Sequence, residues 1–276
     1  MKRRVLMIMN AGWKGDNNYV ATVENAYIRY KSFLQSPAGG YWREDEILEV
    51  DRFNGGVCLK TDFGFKFTEL NKPDVDYSLI VFIGHGAAIN GTDSFQLEDK
   101  KTVVSINFLK TAIGYSTPMK RIIIVDACRS YVATADASLV LEQRAFSRGY
   151  QLNGQWCKEY YNSLIEKTVP HIEIIQSTQY NTCAHGSATG TAFTDALFDT
   201  IMQHNMEWNN RALMDRLGEY SSSFPDVLDE VKQRMAIWSQ VPEFTNDSDT
   251  LFPLFAIKRP TTRVIQGGEV LGIVTN

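Results

Sequence analysis

The chain has 276 residues, 44% hydrophobic and 22% charged, a composition that fits a folded globular protein and excludes a disordered one. Its 28 basic and 32 acidic side chains leave a formal charge of −4 with no long run of either sign, so nothing reads as a nucleic-acid surface. Cys58, Cys128, Cys157 and Cys183 are scattered without CxxC pairs, which argues against a zinc site or a disulfide scaffold and fits free thiols in the cytoplasm.

Short apolar runs alternate with amphipathic segments along the chain, the pattern of a mostly parallel sheet covered by helices on both faces. Val5 to Met9 predicts the first strand; the basic residues ahead of it imitate a secretory signal, but the run is too short and Asn10 ends it. Val20, Val23, Tyr27, Tyr30 and Leu34 then recur at helical spacing. Further strands are predicted over Ile47 to Phe53, Ser78 to Ile83, Arg121 to Asp126, Ile172 to Ser177 and Leu251 to Ile257. Several are continuous apolar runs, as expected of strands buried on both sides. Ile106, Leu109 and Ile113 give a helical stripe before the fourth strand, and Phe193, Leu197 and Ile201 give another after the fifth. Pro225 stands near the start of a helix with Val227, Leu228, Val231, Met235 and Trp238 on one face. Residues 131–170 form the longest stretch between strands. Trp156, Tyr160 and Leu164 make its second half helical and leave 131–153 as a loop of a size that is usually functional or mobile. Residues 259–276 form a tail beyond the last core strand, expected either to pack as an extra hairpin around Gly267-Gly268 or to contact a partner.

Two of these strands end in reactive side chains. LIVFIGHGAA, residues 79–88, delivers His85, and RIIIVDACRS, residues 121–130, delivers Cys128. In an open parallel sheet, reactive groups gather where the carboxyl ends of strands emerge. The chain between His85 and Cys128 is long enough for one helical crossover that returns it parallel. A thiol beside an imidazole is a nucleophile with its general base, because free cysteine, of pKa about 8.5, is only slightly ionised near neutrality. The chemistry this suggests is acyl transfer, with the backbone N–H groups of Gly86 and Cys128 as oxyanion donors and Gly86 allowing a substrate carbonyl to come close. Taken singly, Cys128 would read as a buried structural thiol. His185, in CAHG, repeats the His-Gly signal but trails its strand by several polar residues and reads as a loop residue. His171 and His204 read as structural or exposed, and the other cysteines as packing thiols.

VFIGHG, IIIVDACRS, IIQSTQYNTCAHG, GTAFTDALFDTI and LFPLFAI, in this order over roughly residues 3–258, resemble the caspase, paracaspase and metacaspase group of cysteine endopeptidases. The resemblance implies a caspase-like three-layer α/β sandwich: a mostly parallel six-stranded sheet, helices on both faces and the last strand antiparallel. It implies a peptidase domain over residues 1–258 and a Cys128/His85 dyad. It also bears on substrate choice, since caspases, which cut after aspartate, carry glutamine two positions before the nucleophile, whereas metacaspases and paracaspases, which cut after arginine or lysine, carry aspartate there. This chain has Asp126. Two carboxylates about 4 Å apart repel by roughly 4 kcal/mol at an effective dielectric near 20, which disfavours an acidic substrate residue beside it. Asp16, in NAGWKGDNN, stands where paracaspases place a second acid, and bidentate pairing with such carboxylates favours arginine over lysine. Ser177, Thr178 and Gln179 open the segment expected to line the substrate groove. The plainer alternatives are that Asp126 accepts backbone N–H bonds at its strand end and that Asp16 is a solvated loop acid.

Arg129-Ser130-Tyr131 replaces the His-Ser-Gly that usually follows the metacaspase cysteine, so calcium dependence does not carry over. No acidic cluster makes a convincing calcium site, so calcium activation stays open without a clear site, and no other cofactor or metal is expected. Members of the group often carry a cleavable connection after the cysteine-bearing strand. Here that connection is 131–170, with Arg144 and Arg148 as expected cut sites, and cleavage within 131–153, by the chain itself or by an upstream protease, is the expected activation. The expected partners are protein or peptide substrates with a basic residue before the cut, with no nucleic acid and no membrane. Two alternatives stay open: a catalytically silent caspase-like scaffold that binds a peptide, and a caspase-like protease that cuts after aspartate.

Overall fold

The computed structural model describes residues 1–50, 60–89, 91–97, 102–111, 119–129, 152–187, 189–215, 218–259, 262–266 and 269–274. In chain order its elements are β1 (Arg3–Asn10), α1 (Ala21–Gln35), β2 (Ile47–Val50), α2 (Lys60–Leu70), β3 (Tyr77–Gly84), β4 (Gly86–Ile89), β5 (Thr92–Gln96), β6 (Val103–Ser105), α3 (Ile106–Lys110), β7 (Lys120–Ala127), α4 (Gly154–Lys167), β8 (Ile172–Gln176), α5 (Ala192–Asp215), β9 (Glu219–Ser222), α6 (Phe224–Met235), β10 (Glu243–Asn246), β11 (Phe255–Lys258), β12 (Thr262–Gln266) and β13 (Glu269–Val274).

The central sheet has six strands in the order β10-β8-β7-β3-β1-β2, all parallel except β10. Its middle strands are apolar at consecutive positions because both faces are covered. Leu79, Val81, Ile83, Ile122 and Ile124 point to one side, where they meet Tyr30 and Phe33 of α1, Tyr161 of α4, Leu197 of α5 and Val227 of α6. Ile80, Phe82, Ile123 and Val125 point to the other, against Phe67 of α2, Leu109 of α3 and Phe95 of β5. The result is the three-layer α/β sandwich that the sequence pattern predicts. Among the described residues, no helix is long and apolar enough to cross a membrane.

One strand assignment is corrected. The antiparallel sixth strand is β10, paired with β8 from Glu243↔Gln176 to Asn246↔Glu173, and not Leu251 to Ile257. Phe255–Lys258 instead pairs with β9 in a separate two-stranded sheet. Apolar Phe255, Ala256 and Ile257 are buried in the helical layer, whereas β10, Glu-Phe-Thr-Asn at the sheet edge, is half-exposed and has no apolar run to reveal it. The small sheet β4-β5-β6 that follows His85 is also unpredicted, its strands being short and without a long apolar run. The expected hairpin in the tail is present as β12 and β13. Phe53, Ile113, Cys58, Arg144 and Arg148 lie outside the described residues.

Gly84 governs how the chain leaves β3. Its φ is +140°, and a Cβ there would lie 2.1 Å from the carbonyl oxygen of Asn10 on neighbouring β1. Gly84→Ala is therefore expected to destabilise the fold by about 2 kcal/mol or more in urea unfolding, because it adds backbone strain to an overlap with main chain; an unchanged midpoint would contradict this account.

Candidate active site

β3 and β7 pair in parallel with Ile83 opposite Asp126 and Gly84 opposite Ala127, so His85 and Cys128 are the next residues out at one rim of the sheet. Each then meets a loop on the same helical face. The Asn10 side chain accepts from Gly12 N at 3.1 Å and Val20 N donates to Ala11 O at 2.7 Å, closing the loop between β1 and α1. That loop presents the Asn18 carbonyl 2.7 Å from His85 Nε2, which marks Nε2 as the protonated nitrogen. Cys128 Sγ faces the loop between β8 and α5: it accepts from Ala184 N at 3.3 Å and donates to Ala184 O at 3.7 Å. Both side chains are half-buried. Among the described residues no hydrogen bond joins them, since each is engaged with its own loop.

Burial decides the resting charges. Desolvation pushes the Cys128 thiol above its ordinary value against the opposing Ala184 N–H, with smaller upward contributions from Cys183 and Asp126. Desolvation likewise lowers the His85 imidazole, opposed by the carbonyls of Asn18 and Ala11. Near neutrality the rim therefore holds a thiol and a neutral imidazole, not a preformed thiolate–imidazolium pair.

Gly86, the other expected oxyanion donor, begins β4 directly against the end of β7. A Cβ at Gly86 would lie 2.5 Å from the Cys128 carbonyl oxygen and 3.0 Å from Ala127 Cβ, so glycine is needed here for the close approach of two backbones.

Asp126 is 1% exposed. Its Oδ2 accepts from Thr191 Oγ1 and, at 2.7 Å, from Thr194 Oγ1 at the start of α5, not from backbone N–H groups. The Ser177 hydroxyl lies near enough to favour the carboxylate, yet neither Ser177 Oγ nor Asp126 Oδ1 makes a hydrogen bond of standard geometry. Desolvation outweighs the three hydroxyls and raises the carboxyl pKa. Asp16 sits on the exposed turn that also carries Asn18. Ser177 and Thr178 are fully buried, one toward Asp126 and the other hydrogen-bonded to Thr182, so of the three expected groove residues only Gln179 is exposed. The exposed His185 stacks on Trp238 with ring centroids 5.9 Å apart. Among the described residues no cluster of three or more His, Cys, Asp or Glu side chains could hold a metal ion.

Sequence reasoning passed over Arg129. Its guanidinium is buried and donates to Asp93 on β5 at 2.8 Å, to the Thr178 carbonyl at 2.9 Å and to Glu243 on β10, while it lies 5.5 Å from the Tyr180 ring centroid. Its backbone N–H donates to Thr182 O at 3.0 Å. The residue after the cysteine thus ties together the sheet edge, the small sheet and the loop that holds Ala184. A lone arginine at a strand end was the visible signal, but its partners are dispersed and polar.

The family model for the caspase domain matches residues 66–252, which include His85, Asp126 and Cys128. No curated protein matches the chain. Among solved structures the chain is similar to caspase-1 from Spodoptera frugiperda, with 16% identity, a TM-score of 0.49 and coverage of 91% of this chain and 88% of that one. It is also similar to protein GSU0716 from Geobacter sulfurreducens, with 15% identity, a TM-score of 0.49 and coverage of 91% and 95%. With a mostly parallel six-stranded sheet, an antiparallel edge strand and a domain match over more than half its length, the chain belongs to the caspase-domain family of cysteine peptidases.

Proposed function

We propose that the chain is an endopeptidase in which Cys128 attacks the peptide carbonyl, His85 takes the thiol proton, and Asp126 with Asp16 selects a basic residue before the cut, arginine over lysine. The observation that carries this reading is the β3–β7 register, which leads His85 and Cys128 out at a common rim. General-base attack suits the resting charges, since a neutral imidazole can accept the proton that a raised thiol pKa retains. The imidazole would turn from Asn18 toward the sulfur or the leaving nitrogen as substrate enters. Backbone N–H groups of Gly86 and Cys128 would meet the oxyanion. Processing after Arg144 or Arg148 belongs to the same reading.

The buried Asp126 Oδ1, without a standard hydrogen bond and beside an equally unmatched Ser177 hydroxyl, supports the basic preference, because a guanidinium would complete both. A fluorogenic peptide panel differing only in the residue before the cut should rank Arg above Lys, with no turnover after Asp. Asp126→Asn should lower kcat/KM on the Arg peptide about 30-fold or more, the scale of a lost buried charge partner. The fold should tolerate that change. A carboxyl whose pKa is raised by folding costs stability as pH climbs through its unfolded value toward its folded one, so the ionised group stabilises nothing at neutral pH. Turnover after Asp would overturn the pocket assignment.

A second reading, a caspase-fold scaffold that binds peptide without cutting, is favoured by the raised thiol pKa and by the grip of Ala184 on Cys128. Absence of turnover on every peptide of the panel would select it. The charge state itself has a separate test. Alkylation of Cys128 by iodoacetamide should still be accelerating above the ordinary thiol value of about 8.5, while the acid limb of kcat/KM should fall below the ordinary imidazole value of about 6.5. A plateau in alkylation below pH 7 would reveal a preformed ion pair and contradict general-base attack.

A further inference from the structure

Cys183 lies in the loop between β8 and α5, one residue from the backbone that clasps Cys128. Ala184 N is 3.3 Å from Cys128 Sγ and, alongside, Arg129 N donates to Thr182 O at 3.0 Å, so residues 128–129 and 182–184 run against each other. Standard backbone dimensions then place the Cys183 Cα no more than about 6 Å from Cys128 Sγ. A disulfide there needs the loop to move so that the two sulfurs reach bonding distance. Neither cysteine is in a disulfide, both are half-buried, and negative charge on Cys183 opposes ionisation of Cys128, as expected of close neighbours. Cys157, by contrast, is fully buried and its Sγ sits 3.6 Å from the Lys258 carbonyl.

We propose that Cys183 is the resolving thiol of a reversible Cys128–Cys183 disulfide, formed when a hydroperoxide oxidises Cys128. Cys128 gives up its proton and the thiolate attacks the peroxide oxygen; the O–O bond breaks, the sulfur becomes a sulfenic acid, and the departing oxygen takes that proton to leave as alcohol or water. The Cys183 thiolate then attacks that sulfur, the S–O bond breaks, and hydroxide leaves and takes a proton to become water. A dithiol reductant restores both thiols by exchange. The disulfide withdraws the nucleophile from acyl transfer while it shields Cys128 from irreversible oxidation. None of this requires that the chain cut peptides, and the test does not read activity.

The reduced full-length protein, freed of reductant, is treated with hydrogen peroxide, blocked with iodoacetamide and digested without reduction for mass spectrometry. The expected product has lost two hydrogens, contains linked Cys128 and Cys183 peptides, and reverts with dithiothreitol. In Cys183→Ser and Cys183→Ala, Cys128 should instead gain two or three oxygens that dithiothreitol does not remove. Linkage of Cys128 to Cys58 or Cys157, or equal over-oxidation of Cys128 in wild type and variants without any linked peptide, would overturn the proposal.

Discussion

Eight backbone pairings, from Tyr77 with Lys120 to Gly84 with Ala127, hold β3 and β7 side by side and in step. Because both strands run in the same direction and stop at the same level, whatever each sequence places next emerges at one rim. Register in a sheet buried on both faces is strongly fixed, since a slip of one residue would exchange the side chains facing the two helical layers. The apolar residues of β3 and β7 therefore act on the site at a distance. They set the level and the side at which an imidazole and a thiol leave the sheet, before any polar contact is made.

Around that fixed rim the loops are held by polar contacts. Arg129 draws Asp93, Glu243 and the 178–182 backbone together beside Cys128, and the Asn18 carbonyl fixes the imidazole. Removing one partner from a buried charge cluster of this kind is costly because the other is left unpaired. Asp126 adds a buried carboxyl with incomplete partners, set among the hydroxyls of Ser177, Thr191 and Thr194. The same desolvation that raises its pKa would strengthen its attraction for a cation reaching it. Burial thus works against the empty site and in favour of the occupied one.

The parts of the fold that appear in the sequence are those with a simple physical period. β3 and β7 could be read because they are buried on both faces, and α1 and α6 because their apolar residues recur along one side. β10 could not be read, because an edge strand of Glu, Phe, Thr and Asn looks like a loop until β8 is beside it. The positions of His85 and Cys128 at one rim were legible from their places after two apolar runs. Arg129 with Asp93 and Glu243 was not, since nothing in the local sequence links three charges so far apart in the chain. Ser177 and Thr178 were singled out from their place at a strand end; that the fold buries both side chains, with Ser177 beside Asp126, is a distinction that strand ends do not announce.

The central claim is that Cys128 and His85 act as a unit, and a double-mutant cycle tests it most directly. kcat/KM is measured on an Arg peptide for wild type, Cys128→Ala, His85→Ala and the double variant. Residues that serve one proton transfer and one attack are non-additive, so each single change should cost nearly as much as both together. Turnover retained in Cys128→Ala, or losses that simply multiply in the double variant, would contradict a shared dyad.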